Sequence, residues 1–261
     1  MKDIQGQRDH RRIGIKKVGV KNISYPIVVL DRAKQRQRTV ATVNMYVNLP
    51  HHFKGTHMSR FVEILNRCRG EINLENMHRI LVEMKERLDA EAAHLEIEFP
   101  YFMRGEDDPP DTPQGERLQG IGIGEYRCRM HGSLAAQDKL FLTINTPIAP
   151  PRATPGCSGL PRSLGHWGNA EISLRCLRFI WIEEIIELVA RVTRHHLRGP
   201  DGGENPEADC DLSVENMARA LGAELKRHPE VHDFTVRVEN LAAGYSTFAV
   251  LNEPGPKLSA E

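Results

Sequence analysis

The sequence predicts an α+β fold: antiparallel sheets with paired helices on one face, built as two ββαα-type modules. Three observations carry this. Stretches alternating apolar and polar residues with period 2 come in neighbouring pairs, as the strands of hairpins do. Between such pairs stand two blocks with apolar residues at helical spacing, each supplying two helices. The order strand pair, helix pair, strand pair then recurs in the second half, with no residue-level repeat at a fixed period.

In chain order, residues 1–14 are charged, almost without apolar residues, and read as a polar arm. Residues 15–31 bring Ile15, Val18, Val20 and Ile23 before the dense run Ile27–Leu30. Residues 38–49 set Ala41, Val43, Met45 and Val47 against Val40, Thr42, Asn44 and Tyr46, a strand with one face buried, ended by Pro50. Met58, Phe61, Ile64 and Leu65 predict a helix over 56–68 with Thr56 or Ser59 as its cap. Met77, Leu81, Met84 and Leu88 share one face of a second helix. Residues 94–102 alternate again, and the Pro- and Gly-bearing stretch 104–120 reads as a connector. Strands are predicted over 124–134, 138–148 and 170–179, the last two separated by a long Pro/Gly-rich loop at 149–169. Helices follow at 181–197, with Trp181 in the core and Glu183–Glu184 on a solvated face, and at 213–228, with Ser213 as cap. Strands at 232–241 and 245–251 close the pattern.

The chain has 261 residues, 35 Lys+Arg against 35 Asp+Glu, and 40% hydrophobic residues, enough to bury a substantial core. Balanced charge argues against a disordered protein and against a dedicated nucleic-acid binder. No apolar run is long enough to span a bilayer, and the polar N-terminus has no apolar signal segment. The 5 cysteines fit no disulfide framework. The expectation is a cytoplasmic protein with no nucleic-acid or membrane partner. Its organisation reads as an arm (1–14), one bimodular domain (15–252, halves about 15–103 and 121–252) and a tail (253–261).

The glycine-rich nucleotide motifs, GxSxG, CxxC and HExxH are all absent. Three loop or helix-start clusters remain. LPHHFKGTHMSRF (49–61) gathers Lys54, His57 and Arg60 around a helix start, which is either an anion site or a solvated turn. Cys157 and His166 share one loop, where thiolate and imidazole can join in a metal site or stand as a free cysteine and a surface histidine. Glu215 lies in a first helical turn, favoured there by the dipole or placed to accept two hydrogen bonds from a guanine-like N–H pair.

IKKVGVKNISYPIVV (15–29), TVATVNMYVNLPHHFKGTHMSRFVEILN (39–66), RLDAEAAHLEIEFPYF (87–102) and FIWIEEIIELV (179–189) resemble the type IB GTP cyclohydrolases, most closely over the first 102 residues. The resemblance implies the tunnelling fold, assembled from several subunits into a barrel as a homo-oligomer, a tetramer, with active sites at subunit interfaces. It implies conversion of GTP to 7,8-dihydroneopterin triphosphate and formate, as metal-bound water attacks C8 and opens the purine imidazole ring. The metal would be Zn, Mn or Fe.

The family's CPCSKEIS…GAHNQ segment is matched by Cys157-Ser158 and by Gly165-His166, so these two residues would be the catalytic metal ligands. Its FVED appears as SVEN, giving Glu215 the guanine, while Lys54, His57 and Arg60 would hold the triphosphate. Its acidic pair survives as Asp201; Asp201, Glu204 and Glu207 are the further candidate ligands. Its ENFESIHNHSA reads ENLAAGYSTFA here: Glu239 and Asn240 remain, but Ala242, Tyr245 and Thr247 replace a Glu and two His. That departure motivates the second reading, a non-hydrolytic relative that binds a purine or pterin.

Overall fold

A computed structural model describes residues 15–30, 32, 36–49, 57–68, 70, 74–103, 124–135, 138–148, 168–175, 180–198, 213–231, 233–242 and 244–254. Residues 1–14 and, among others, Lys54, Cys157, His166, Asp201, Glu204 and Glu207 lie outside these residues.

The elements are β1 (Ile15–Val29), β2 (Gln37–Leu49), α1 (Met58–Arg67), α2 (Leu74–Arg87), β3 (Ala92–Met103), β4 (Gly124–Leu134), β5 (Asp138–Ile148), β6 (Gly168–Arg175), α3 (Ile182–Arg198), α4 (Val214–Arg227), β7 (Phe234–Ala242) and β8 (Tyr245–Glu253). All strands join one 8-stranded sheet in sequential order β1 to β8. Every neighbouring pair is antiparallel. The repeat in element order falls as β1β2α1α2β3β4 and β5β6α3α4β7β8.

Period-2 patterning decides which face each strand buries. Leu95, Ile97, Phe99 and Tyr101 of β3 lie under the helices, while His94, Glu96 and Glu98 point to the other face and are half-buried. Cys128 and Met130 of β4, Ile144 of β5, Ile172 of β6 and Val236 of β7 continue the buried layer. Phe61, Ile64 and Leu65 of α1, Met77, Leu81 and Met84 of α2, Ile185 and Val189 of α3, and Met217, Leu221 and Leu225 of α4 close it from above. Burial of this layer is the main force holding the helices to the sheet.

Three expectations are corrected. The cap position of α1 is His57, which makes no side-chain capping bond, in place of Thr56 or Ser59. Glu183 is only 4% exposed and accepts a 2.7 Å hydrogen bond from the Arg32 N–H, so it does not belong to a solvated face. Trp181 is half-buried rather than core. The Glu183 correction arises because Arg32, distant in sequence, comes to lie against the helix start.

Sequential antiparallel pairing gives the sheet two distinct ends. Leu49, Ala92, Leu134 and Asp138 align at the end carrying the β4–β5 turn. Ile148, Gly168 and Asn240 align at the opposite end, which carries the β5–β6 connection and the β7–β8 turn.

Candidate functional site

At the β5–β6 end, α4 begins with a formed cap: Ser213 Oγ accepts from the Asn216 N–H at 3.1 Å. Glu215 follows in the first turn and is exposed, with its carboxylate at the favourable pole of the helix dipole. The direction of α4 is fixed by its far half: Gly222 lies over Leu251, and Lys226 Nζ meets Glu253 Oε1 at 2.9 Å, at the last residue of β8. Its start therefore points back toward Tyr245 and the β7–β8 turn.

The same end holds Glu239, which accepts from Ser246 Oγ at 2.7 Å and meets Arg237 Nη2 at 3.4 Å. Gly168 pairs with Asn240, and a Cβ on Gly168 would stand 1.9 Å from the Glu239 carbonyl oxygen. Only glycine allows β6 to approach β7 this closely at its first residue, which follows Cys157 and His166 in the chain. Tyr245, one of the residues replacing the family's polar set, is 70% exposed.

His57 and Arg60 stand at the other end. Arg60 Nη1 donates to the Arg87 carbonyl oxygen at 3.2 Å, at the C-terminus of α2, just before β3 begins. The strand β5, 11 residues long, runs from one end to the other, a span of roughly 35 Å. The fold thus brings Glu215 to the end where the Cys157/His166 loop is rooted, and keeps His57 and Arg60 away from it within one chain. Among the described residues no group of three His, Cys, Asp or Glu is placed to hold a metal.

One polar constellation escaped the sequence reading. On the helix-free face, Glu96 accepts from Tyr46 Oη at 2.8 Å and from Asn44 Nδ2 at 3.1 Å. Asn44 Oδ1 accepts in turn from the Asn22 N–H at 2.9 Å. Tyr46 stacks on His94 with ring centroids 4.8 Å apart, and Lys17 Nζ lies 3.5 Å from the Tyr46 ring centre. His94 Nε2 pairs with Asn48 Oδ1 at 3.2 Å. His131, across from Glu96 on β4, has Nε2 sealed from solvent without a hydrogen-bond partner. Burial pushes both imidazoles below the usual histidine range, and Lys17 adds to this, while Glu96 opposes it. Burial alone would raise the Glu96 carboxyl, but the bonds from Tyr46 and Asn44, with Lys17 and His131 nearby, leave it below its usual range. Burial first, then the bond to Glu96, pushes the Tyr46 phenol up to about 12. The available signal was the polar phase of β3, His94-x-Glu96-x-Glu98, which reads equally as a solvated strand face.

A family model described as "Type I GTP cyclohydrolase folE2" matches residues 1–242. The chain is 41% identical to GTP cyclohydrolase FolE2 of Syntrophotalea carbinolica, covering 100% of this chain and 98% of the relative. It is 41% identical to the protein of that name from Geobacter sulfurreducens, covering 97% and 98%. To the protein of that name from Citrifermentans bemidjiense it is 46% identical, covering 92% and 89%. Among solved structures, urate oxidase from Bacillus subtilis 168 matches with TM-score 0.52 and 10% identity over 91% of this chain and 98% of that one. Bacillus sp. TB-90 urate oxidase matches with TM-score 0.54 and 8% identity over 92% and 100%. At such identity these likenesses show the shared fold, the tunnelling fold, and nothing of chemistry. The subtype IB read from the motifs is narrower than the matching description, so the assignment stands at type I under the FolE2 name. A match over nearly the whole length, degenerate second half included, places this chain in the type I GTP cyclohydrolase FolE2 family.

Proposed function

We propose that this protein is a GTP cyclohydrolase, converting GTP to 7,8-dihydroneopterin triphosphate and formate by hydrolytic opening of the purine imidazole ring. The observation that carries this is full-length similarity, at 41% identity, to proteins named for that activity. The similarity runs through the altered 242–247 segment, so the non-hydrolytic reading is not favoured.

In this reading Glu215 accepts two hydrogen bonds from the guanine N–H pair, and Lys54, His57 and Arg60 hold the triphosphate. An extended nucleotide is shorter than the sheet that separates Glu215 from His57 and Arg60. One GTP can meet both groups only if neighbouring subunits bring opposite ends of their sheets together. The proposed assembly is a homo-oligomer, a tetramer, and that separation supports an oligomer.

The catalytic metal ligands in this proposal are Cys157 and His166, completed from Asp201, Glu204 or Glu207. A thiolate with an imidazole suits Zn, and Mn or Fe are the other candidates. The described residues contribute no donor set of their own. The test is metal content of the purified protein, measured alongside pterin fluorescence and formate release from GTP. Fluorescent pterin and formate in equal amounts are expected. GTP binding by metal-replete protein with no turnover would defeat the proposal in favour of the binding module.

A further inference from the structure

In the proposed site Glu215 meets the edge of the guanine and Lys54, His57 and Arg60 its triphosphate, which leaves the flat face of the base uncontacted. The placement of α4 shows what lies beside Glu215. Glu215, Arg219, Gly222 and Lys226 recur at the spacing that puts them on one stripe of the helix. That stripe lies along β8: Lys226 Nζ meets Glu253 Oε1 at 2.9 Å, and Gly222 sits against the Leu251 side chain. Glu224, on the opposite side of the helix from Glu215, points instead to Arg191 of α3, at 3.8 Å. From Lys226 back to Glu215 the helix rises roughly 16 Å, which strand β8 covers in about five residues. Glu215 therefore stands level with Thr247 and Phe248, and a helical side chain leans toward the helix start, here the direction of Tyr245.

Strand phase puts Tyr245 on the matching face. Leu251 and Ala249 pack into the core under α4, so Thr247 and Tyr245, two and four residues before Ala249, share the α4 side. Phe248 lies on the other face, with the Arg237 guanidinium 5.1 Å from its ring centre. Tyr245 heads β8 and is 70% exposed. Edge pairing with a neighbouring subunit engages backbone groups in the plane of the sheet, whereas the Tyr245 side chain stands out of that plane, so assembly through β8 does not consume the ring. We infer, resting on the guanine contact of the proposed function, that Tyr245 is the platform for the base: its ring stacks on the purine face while Glu215 accepts the two N–H groups of the purine edge. A carboxylate alone fixes only one edge of a planar ligand, and an aromatic face beneath it supplies the second restraint. The phenol ring that replaces one of the family's imidazoles offers the larger stacking surface.

Calorimetry on the assembled, metal-replete protein tests the platform with two probes: 7-deaza-GTP, which keeps the guanine edge and face but has no imidazole ring to open, and inorganic triphosphate. Y245A is expected to bind 7-deaza-GTP about ten- to a hundredfold more weakly than the parent, the scale of one lost base–aromatic stack, with triphosphate affinity unchanged. Y245F, which keeps the ring, should stay within about twofold of the parent. If Y245A does not fold, Y245W carries the test, since 7-deaza-GTP should quench its indole emission beyond the change in the parent and triphosphate should not. Parent-like binding of 7-deaza-GTP by Y245A, an equal loss for triphosphate, a loss in Y245F as large as in Y245A, or no added quenching in Y245W would overturn the platform. Turnover of GTP by a parent whose Y245A variant binds normally defeats the platform and keeps the cyclohydrolase reading. The Y245A loss in a parent that releases no pterin does the reverse.

Discussion

Glu215 is exposed in the first turn of α4, so its carboxylate is free for a ligand and contributes little to the core. Glu215→Ala is expected to weaken GTP binding by roughly 2–3 kcal/mol, the scale of a charge-assisted bidentate contact. Thermal unfolding should barely move, since the lost dipole interaction is worth roughly 0.3–1 kcal/mol. Calorimetry showing equal GTP affinity in mutant and parent would remove Glu215 from the site. Tyr46 supplies a second prediction. Its phenol is raised from the ordinary value near 10 to about 12, so folding favours the protonated form. The stabilisation is complete below pH 10 and is lost as pH rises from 10 toward 12. Urea midpoints followed across that interval should fall in the parent and fall less steeply in Tyr46→Phe. Parallel curves would mean that neither burial nor the Glu96 bond holds the phenol protonated in the folded state.

At the scale of elements, the strands were legible because alternation is a local property: the residues that β2 buries under the helices, Ala41, Val43, Met45, Val47 and Leu49, are those that the period selects, while Tyr46, buried on the other face, is not. The Ser213 cap was legible for the same reason, because a serine before an amphipathic run needs only its own helix to act. Ser213→Ala should therefore cost about 1 kcal/mol, read from the urea midpoint. Glu183 was not legible, because its N–H donor comes from Arg32, 151 residues away. The placement of β6 depends likewise on a distant partner. Gly168→Ala would drive a methyl into the Glu239 carbonyl, and a loss of about 1–3 kcal/mol is expected. An unchanged unfolding midpoint would show that the β6–β7 spacing can relax.

For the whole molecule, the separation of Glu215 from Arg60 along the sheet yields the sharpest prediction. Glu215→Ala and Arg60→Ala should each depress turnover when assembled alone. Co-expressed, they should recover part of it, because mixed oligomers can pair an intact Glu215 end with an intact Arg60 end. No recovery in mixed assemblies, each variant being folded and oligomeric, would place both groups in one chain's site. Among the described residues the two edge strands, β1 and β8, each have a sheet neighbour on one side only, and β8 also exposes Tyr245, Phe248 and Val250. Such edges are liabilities in a lone subunit and are relieved by pairing with a neighbour.

The sequence by itself determined the element order, the buried phase of β2 and β3 and the family, because periodicity and motif spelling are written along the chain. It also marked Glu215, whose helix start is spelled by SVEN. Only the tertiary structure decided that Glu215 and the root of the Cys157/His166 loop share one end of the sheet while His57 and Arg60 stand at the other. Only the tertiary structure assembled Lys17, Tyr46, His94, Glu96 and His131 into one constellation from four strands. Both depend on strand pairing, in which residues far apart in the chain come within about 5 Å, and no local pattern encodes which neighbour a polar side chain will meet.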